Sequence, residues 1–233
     1  NILFFTISGF LFQMQLASFT NFTNFLIRKF KSLLIPFLVF GLGVSAFLII
    51  FVYPNFGQVK DVVTITYFFE SLWVLIFDSI LWFIPSLFII LVLNYFFKTR
   101  LLLLTVLSFV LWLLLYINCY LNVVKLDLFG NGVGYVFIFV IGRLFFLYNE
   151  KLASIQFLYS KKKLFFSMIV FYILLNLESL VLYQIKGDFH NSLRIANVLY
   201  SYTVFFLLNR IFIENKWVLL KGYTIYFIYL MHF

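Results

Sequence analysis

Arg28, Lys29 and Lys31 stand close together in Phe25-Leu26-Ile27-Arg28-Lys29-Phe30-Lys31-Ser32-Leu33-Leu34-Ile35-Pro36-Phe37. Cations directly before a helix with a proline in its first turn, where a missing N–H costs little, have the chemistry of a phosphate receptor. Free backbone donors at the helix N-terminus and charge-assisted side-chain contacts would act together on the anion. The same cluster also reads as a plain anchor held on one side of a membrane by its charge. Arg143, in Phe139-Val140-Ile141-Gly142-Arg143, is a second cationic candidate because it lies inside an apolar stretch. Its side chain either snorkels to the nearby surface or faces the interior of a bundle.

The acidic candidates lie elsewhere. Glu178 falls within an apolar stretch about two turns from its end, and a carboxylate at membrane depth is a functional candidate by default. Lys186 or Arg194 in the following loop would give it a plain partner. Glu70 and Asp78 occur in Val62–Ile80, just ahead of Leu81-Trp82-Phe83-Ile84-Pro85-Ser86-Leu87-Phe88, where Trp82 reads as an interfacial belt residue. The chain therefore offers one basic site and one polar site on opposite faces. Its histidines are His190 and His232, with no His-plus-carboxylate spacing for a metal, no Gly-x-Ser-x-Gly elbow and no phosphate loop. Cys119 is the single cysteine, which excludes an internal disulfide and a thiolate metal site, and reads as a small apolar filler.

The elements that must position these residues are membrane helices. The chain is 65% hydrophobic and 11% charged, with a mean hydropathy of +1.10, against roughly 45–50% apolar and about 25% charged for soluble domains. Crossing the hydrocarbon takes about 20 apolar residues. Spans are expected near Ile2–Ala17, Ser32–Tyr53, Leu81–Phe97, Leu101–Leu121, Val133–Tyr148, Leu164–Ile185, Ile195–Ile213 and Trp217–Phe233. The apolar runs are continuous and lack period-two alternation, so the expected fold is all-α, a polytopic transmembrane helix bundle of about eight spans forming a single membrane-embedded domain over Asn1–Phe233.

The cations sort into alternate gaps. Arg28, Lys29, Lys31, Lys98, Arg100, Lys151, Lys161, Lys162, Lys163, Arg210, Lys216 and Lys221 fall on one side, and only Lys60, Lys125, Lys186 and Arg194 on the other. By the positive-inside rule the rich side is cytoplasmic. The net charge of +9 then reflects retained loop cations, and no nucleic-acid partner is needed to explain it. Val62–Ile80 is long enough to cross, but counting it as a span would put Lys98 and Arg100 outside; it is expected to be an interfacial or re-entrant helix anchored by Tyr67 and Trp73. With this orientation the first span runs from outside to inside, so an odd number of spans is expected upstream of Asn1, and the chain is expected to be an internal piece, truncated at both ends.

Several segments, in order, resemble the integral-membrane acyltransferase family 3, and most closely its branch similar to fucose 4-O-acetylase. Leu3-Phe4-Phe5-Thr6-Ile7-Ser8-Gly9-Phe10-Leu11 is similar to that family's "FFFISGFL" second helix, and Arg28-Lys29-Phe30-Lys31 with Leu34-Ile35-Pro36-Phe37 to its basic "RRF…LLIPY". Trp82-Phe83 with Pro85 and Leu87-Phe88 resembles "LWFLPALF", Phe139-Val140-Ile141-Gly142 the "FxxG" helix, and Tyr226-Phe227-Ile228-Tyr229-Leu230-Met231-His232 the "sxxIYLxH" ending.

The resemblance implies transfer of an acyl group, usually acetyl, from cytoplasmic acetyl-CoA to a hydroxyl of an envelope glycan or glycolipid, in the inner membrane of a bacterium. No tightly bound cofactor is implied; acyl-CoA is a co-substrate and membrane lipids are the surroundings. Arg28, Lys29 and Lys31, with Arg143 as a weaker candidate, would hold the CoA phosphates, and Trp82, Glu70, Asp78 and Glu178 would meet the acceptor sugar. The family's histidine, general base or acyl relay, would lie upstream of Asn1, so the segment Asn1–Phe233 is expected to be inactive alone. Two other classes stay open on composition: a glycan polymerase or flippase, and a non-enzymatic scaffold or channel, the latter disfavoured by the lack of a charged pore ring.

Overall fold

The computed structural model describes residues 1–19, 21–47, 82–121, 128–155, 160–186 and 193–214. The Glu70–Asp78 segment, His190, His232 and the expected last span Trp217–Phe233 lie outside the described residues. The fold is all-α, a membrane helix bundle, and no strand occurs among the described residues. Helices occupy each expected span that falls within them: α1 (Ile2–Gln15), α2 (Phe22–Lys29), α3 (Ile35–Phe47), α4 (Phe83–Phe96), α5 (Leu101–Leu121), α6 (Leu128–Leu147), α7 (Asn149–Ser154), α8 (Lys161–Lys186) and α9 (Ile195–Glu214).

Among the described residues, two helices are long and apolar enough to cross a membrane, at Leu101–Asn118 and Lys161–Ile185; Ile2–Ser18, Phe83–Phe96 and Gly132–Leu147 are shorter apolar helices. Only 17% and 11% of the two long windows are buried, which is the pattern of lipid-facing helices and the reverse of soluble-core ones. On α5 the buried residues are Leu104, Ser108 and Trp112, four apart, so one narrow stripe packs inward while most of its remaining leucines face out.

The chain falls into two compact units, Leu3–Phe146 and Leu147–Phe233. In the first, α1 and α6 cross closely: a Cβ on Gly9 would run into the Phe139 carbonyl, and one on Gly142 into the Thr6 carbonyl. Small residues that let backbones touch are the usual basis of helix association in lipid, where no hydrophobic drive separates helix from solvent. Around that crossing the core is aromatic. Phe5 lies 4.5 Å from Tyr135 and Phe12 5.6 Å from Phe139, centroid to centroid. Phe25 of α2 stacks on Tyr95 of α4 at 4.5 Å and 15°, which holds α2 against the end of α4. In the second unit α8 and α9 pack together, with Tyr172 and Tyr200 in contact at 6.0 Å.

No break separates α2 from α3. Phe30–Leu34 form a π-helical turn, so the chain is helical from Phe22 through Phe47. Pro36 explains the irregularity: it has no N–H to bond the Ser32 carbonyl, and a widened turn just ahead of it, in which the Ile35 N–H reaches the Phe30 carbonyl, relieves the ring's clash with the preceding turn.

Candidate functional site

Arg143 does not snorkel. Its side chain is 1% exposed and turns into the first unit, where two helices, α1 and α4, receive it. Nε donates to Gln13 Oε1 of α1 at 2.9 Å, and Nη1 donates to Asn94 Oδ1 of α4 at 3.0 Å and to the Asn94 carbonyl at 3.4 Å. The guanidinium carbon sits 5.3 Å from the centroid of Phe12. Asn94 is itself fully buried, and its Nδ2 donates back to the Ile90 carbonyl at 2.9 Å, which fixes the amide with its oxygen toward Arg143. The Asn94 carbonyl is available because α4 ends there and the Lys98 N–H bonds Tyr95 in its place. Among the described residues no carboxylate pairs with this cation, and its Nη2 edge meets no acceptor.

The basic cluster is built differently from the expectation. Asn21 caps α2 by accepting from the Asn24 N–H at 2.8 Å, and Arg28 and Lys29 occupy the last turn of that helix. No helix N-terminus follows them, because the π turn continues the helix and uses the backbone N–H groups. That part of the phosphate-receptor expectation is overturned; what remains is the side-chain charge. Both cations lie over the Phe19 ring, Arg28 at 5.9 Å and Lys29 at 5.5 Å. Lys29 Nζ also donates to Gln15 Oε1 at 3.2 Å, and burial holds its amino group below the usual lysine range. Arg28 and Lys31 are exposed.

Lys98 joins the same aromatic block. Its Nζ lies 4.5 Å from the Tyr95 ring, Tyr95 stacks on Phe25, and Phe25 meets Phe19 at 5.2 Å. In the sequence Lys98 stands out only as one of the cations on the rich side, and Gln13, Gln15 and Asn94 carry no expectation. The available signal was polarity: Gln13, Gln15 and Asn94 are amides inside otherwise apolar helices, where an unbonded amide is costly.

Of the residues expected on the other face, Trp82 belongs to the first unit and Glu178 to the second. Trp82 precedes α4, half-buried, with its ring 5.5 Å from Tyr135. In the second unit, Glu178 Oε2 accepts from the Ala196 N–H at 3.0 Å, near the start of α9, and Arg194 donates to Ser179 Oγ. Glu178 thus satisfies one of the orphan donors of a helix N-terminus from a neighbouring helix. Among the described residues there is no cluster of His, Cys, Asp or Glu able to hold a metal.

Residues 2–233 match the family model described as an acyltransferase domain, that of acyltransferase family 3. No curated protein and no solved structure matches the chain.

Proposed function

The chain belongs to acyltransferase family 3 and is a membrane acyltransferase; from that premise we infer that it takes an acyl group, acetyl in the first instance, from acyl-CoA and passes it to a hydroxyl of an envelope glycan or glycolipid. The observation that carries the donor half is the grouping of Arg28, Lys29 and Lys98 around one aromatic block, with exposed Lys31 just beyond. CoA presents phosphates, and several cations at a membrane surface attract and hold them through charge-assisted hydrogen bonds. The buried rings of Phe19 and Tyr95 beneath the cations hold them in place by cation–π contact.

On this reading the membrane is the inner membrane of a bacterium and the cluster lies on its cytoplasmic face, where acyl-CoA is made; the alternating-charge pattern supports that face. Trp82, the Glu70–Asp78 segment and Glu178 are then candidates for the acceptor side, as an aromatic platform and hydrogen-bonding groups for a sugar. Membranes containing the whole protein, beyond the segment Asn1–Phe233, incubated with acetyl-CoA labelled in the acetyl group, should transfer label to envelope glycan or glycolipid as a base-labile ester. Label no higher than in membranes without the protein, across acetyl and longer acyl donors, would overturn the reading.

A further inference from the structure

Arg143 is a permanent cation enclosed by neutral groups: two side-chain amides, one carbonyl and a phenyl face. A charge removed from water is costly unless a counter-charge or a full set of hydrogen bonds compensates, and at membrane depth the cost is greater. Gln13 and Asn94 serve Nε and Nη1 and leave the two N–H groups of Nη2 without an acceptor among the described residues. The geometry points to Arg143 as the group that receives the carbonyl oxygen of the acyl thioester, with Gln13 and Asn94 as positioning residues that hold the guanidinium so that Nη2 faces the substrate. This rests on the acyl-CoA reading above and assigns a role distinct from phosphate binding.

The site's chemistry selects a carbonyl over a phosphate. A phosphate carries one to two full negative charges and needs several cations, whereas here one guanidinium edge is offered and the surrounding partners are neutral. One oxygen that becomes negative only as the reaction proceeds matches one cation with two open donors. In a site with little water such a preorganised donor acts on the transition state more strongly than on the ground state. The step balances without a further reactant: the acceptor hydroxyl oxygen bonds to the carbonyl carbon, the C–S bond breaks, and the hydroxyl proton ends on the CoA sulfur as thiol. Arg143 keeps its protons throughout.

Position supports the assignment. Gln13, which holds Arg143, and Gln15, which holds Lys29, are two residues apart on α1, about 3 Å along its axis. They point to different sides of the helix, so Arg143 lies at nearly the depth of the basic cluster but on the inner side of α1.

The test uses Arg143→Gln, Arg143→Lys and Gln13→Glu in the whole protein, with acetyl transfer and inhibition by free CoA measured on each. Arg143→Gln should lower kcat by about 10²–10³-fold while the inhibition constant of CoA, which has the phosphates but no acyl group, changes less than about threefold. Arg143→Lys should recover part of the loss, since it keeps the charge without the fork. Gln13→Glu is the variant that a structural role cannot mimic. It gives the guanidinium a carboxylate, so thermal stability should hold or rise while kcat falls about tenfold or more as the cation is neutralised. Wild-type kcat in Gln13→Glu, or a parallel rise of KM for acetyl-CoA and of the CoA inhibition constant in Arg143→Gln at unchanged kcat, would overturn the assignment alone. Absence of any acyl-CoA-dependent transfer by the unsubstituted protein would instead overturn the donor reading, and this inference with it.

Discussion

Gly9 of α1 and Gly142 of α6 face one another so closely that neither position has room for a Cβ against the other helix's backbone. The contact governs the polar cluster beside it. Gln13 is one turn beyond Gly9 on the same face of α1, and Arg143 follows Gly142 directly, so the depth of the crossing sets the reach of the Gln13–Arg143 hydrogen bond.

Gly9→Ala or Gly142→Ala should therefore destabilise the protein by about 1–3 kcal/mol, since the obstruction is backbone that moves only with its helix. Gly132→Ala is the control, because its Cβ would meet the Ser86 Oγ at 3.2 Å, a hydroxyl that can rotate away, and should cost less than about 0.5 kcal/mol. Thermal unfolding in detergent compares the three; equal midpoints would mean that the crossing is looser than described.

Arg28→Ala combined with Lys31→Ala should raise KM for acyl-CoA, each lost phosphate contact being worth about 1.5–3 kcal/mol, or about ten- to a hundredfold, with membrane insertion unaffected. Lys98→Ala should add to the effect, because its ammonium lies on the same aromatic block. An unchanged KM at normal protein abundance would reduce the cluster to a topological anchor.

Glu178→Ala removes the acceptor of the Ala196 N–H and should cost about 1–3 kcal/mol, while Glu178→Gln keeps an acceptor and should cost less. A drop in transfer without any loss of stability in either variant would favour acceptor contact over helix capping.

Lys29 gives a pH signature. Burial lowers its pKa from the usual 10.5, so just beneath that value the unfolded chain holds more protons than the folded one. Stability from this group consequently rises with pH through that window, and the desolvation penalty is fully present at lower pH. Relative to the wild type, Lys29→Met should flatten the stability profile there; matching slopes would show that Lys29 is as solvated folded as unfolded.

Orientation is open to direct labelling. In a Cys119→Ser background, Lys162→Cys should resist a membrane-impermeant thiol reagent in intact cells and react after permeabilisation. Strong labelling before permeabilisation would invert the assignment of faces.

Composition and the unbroken apolar runs determined the all-α membrane fold, because in lipid every backbone polar group must bond within its own helix and no other element suits such runs. The order of short motifs determined the family, and Arg28, Lys29 and Lys31 stood out because adjacent cations are conspicuous in an oily chain. Only the tertiary structure decided what those cations face. Pro36 read locally as a helix start, yet packing carried the helix through it as a π turn, since a widened turn leaves fewer backbone groups unbonded than a break beside lipid. Arg143 read equally well as surface-seeking or inward-facing, for its long side chain reaches either way from one backbone position. The choice was settled by Gln13 and Asn94, distant in sequence, whose amides meet it only because Gly9 and Gly142 let α1 and α6 close together. A pairing of that kind depends on two helices' relative rotation and depth, which no spacing within either helix encodes.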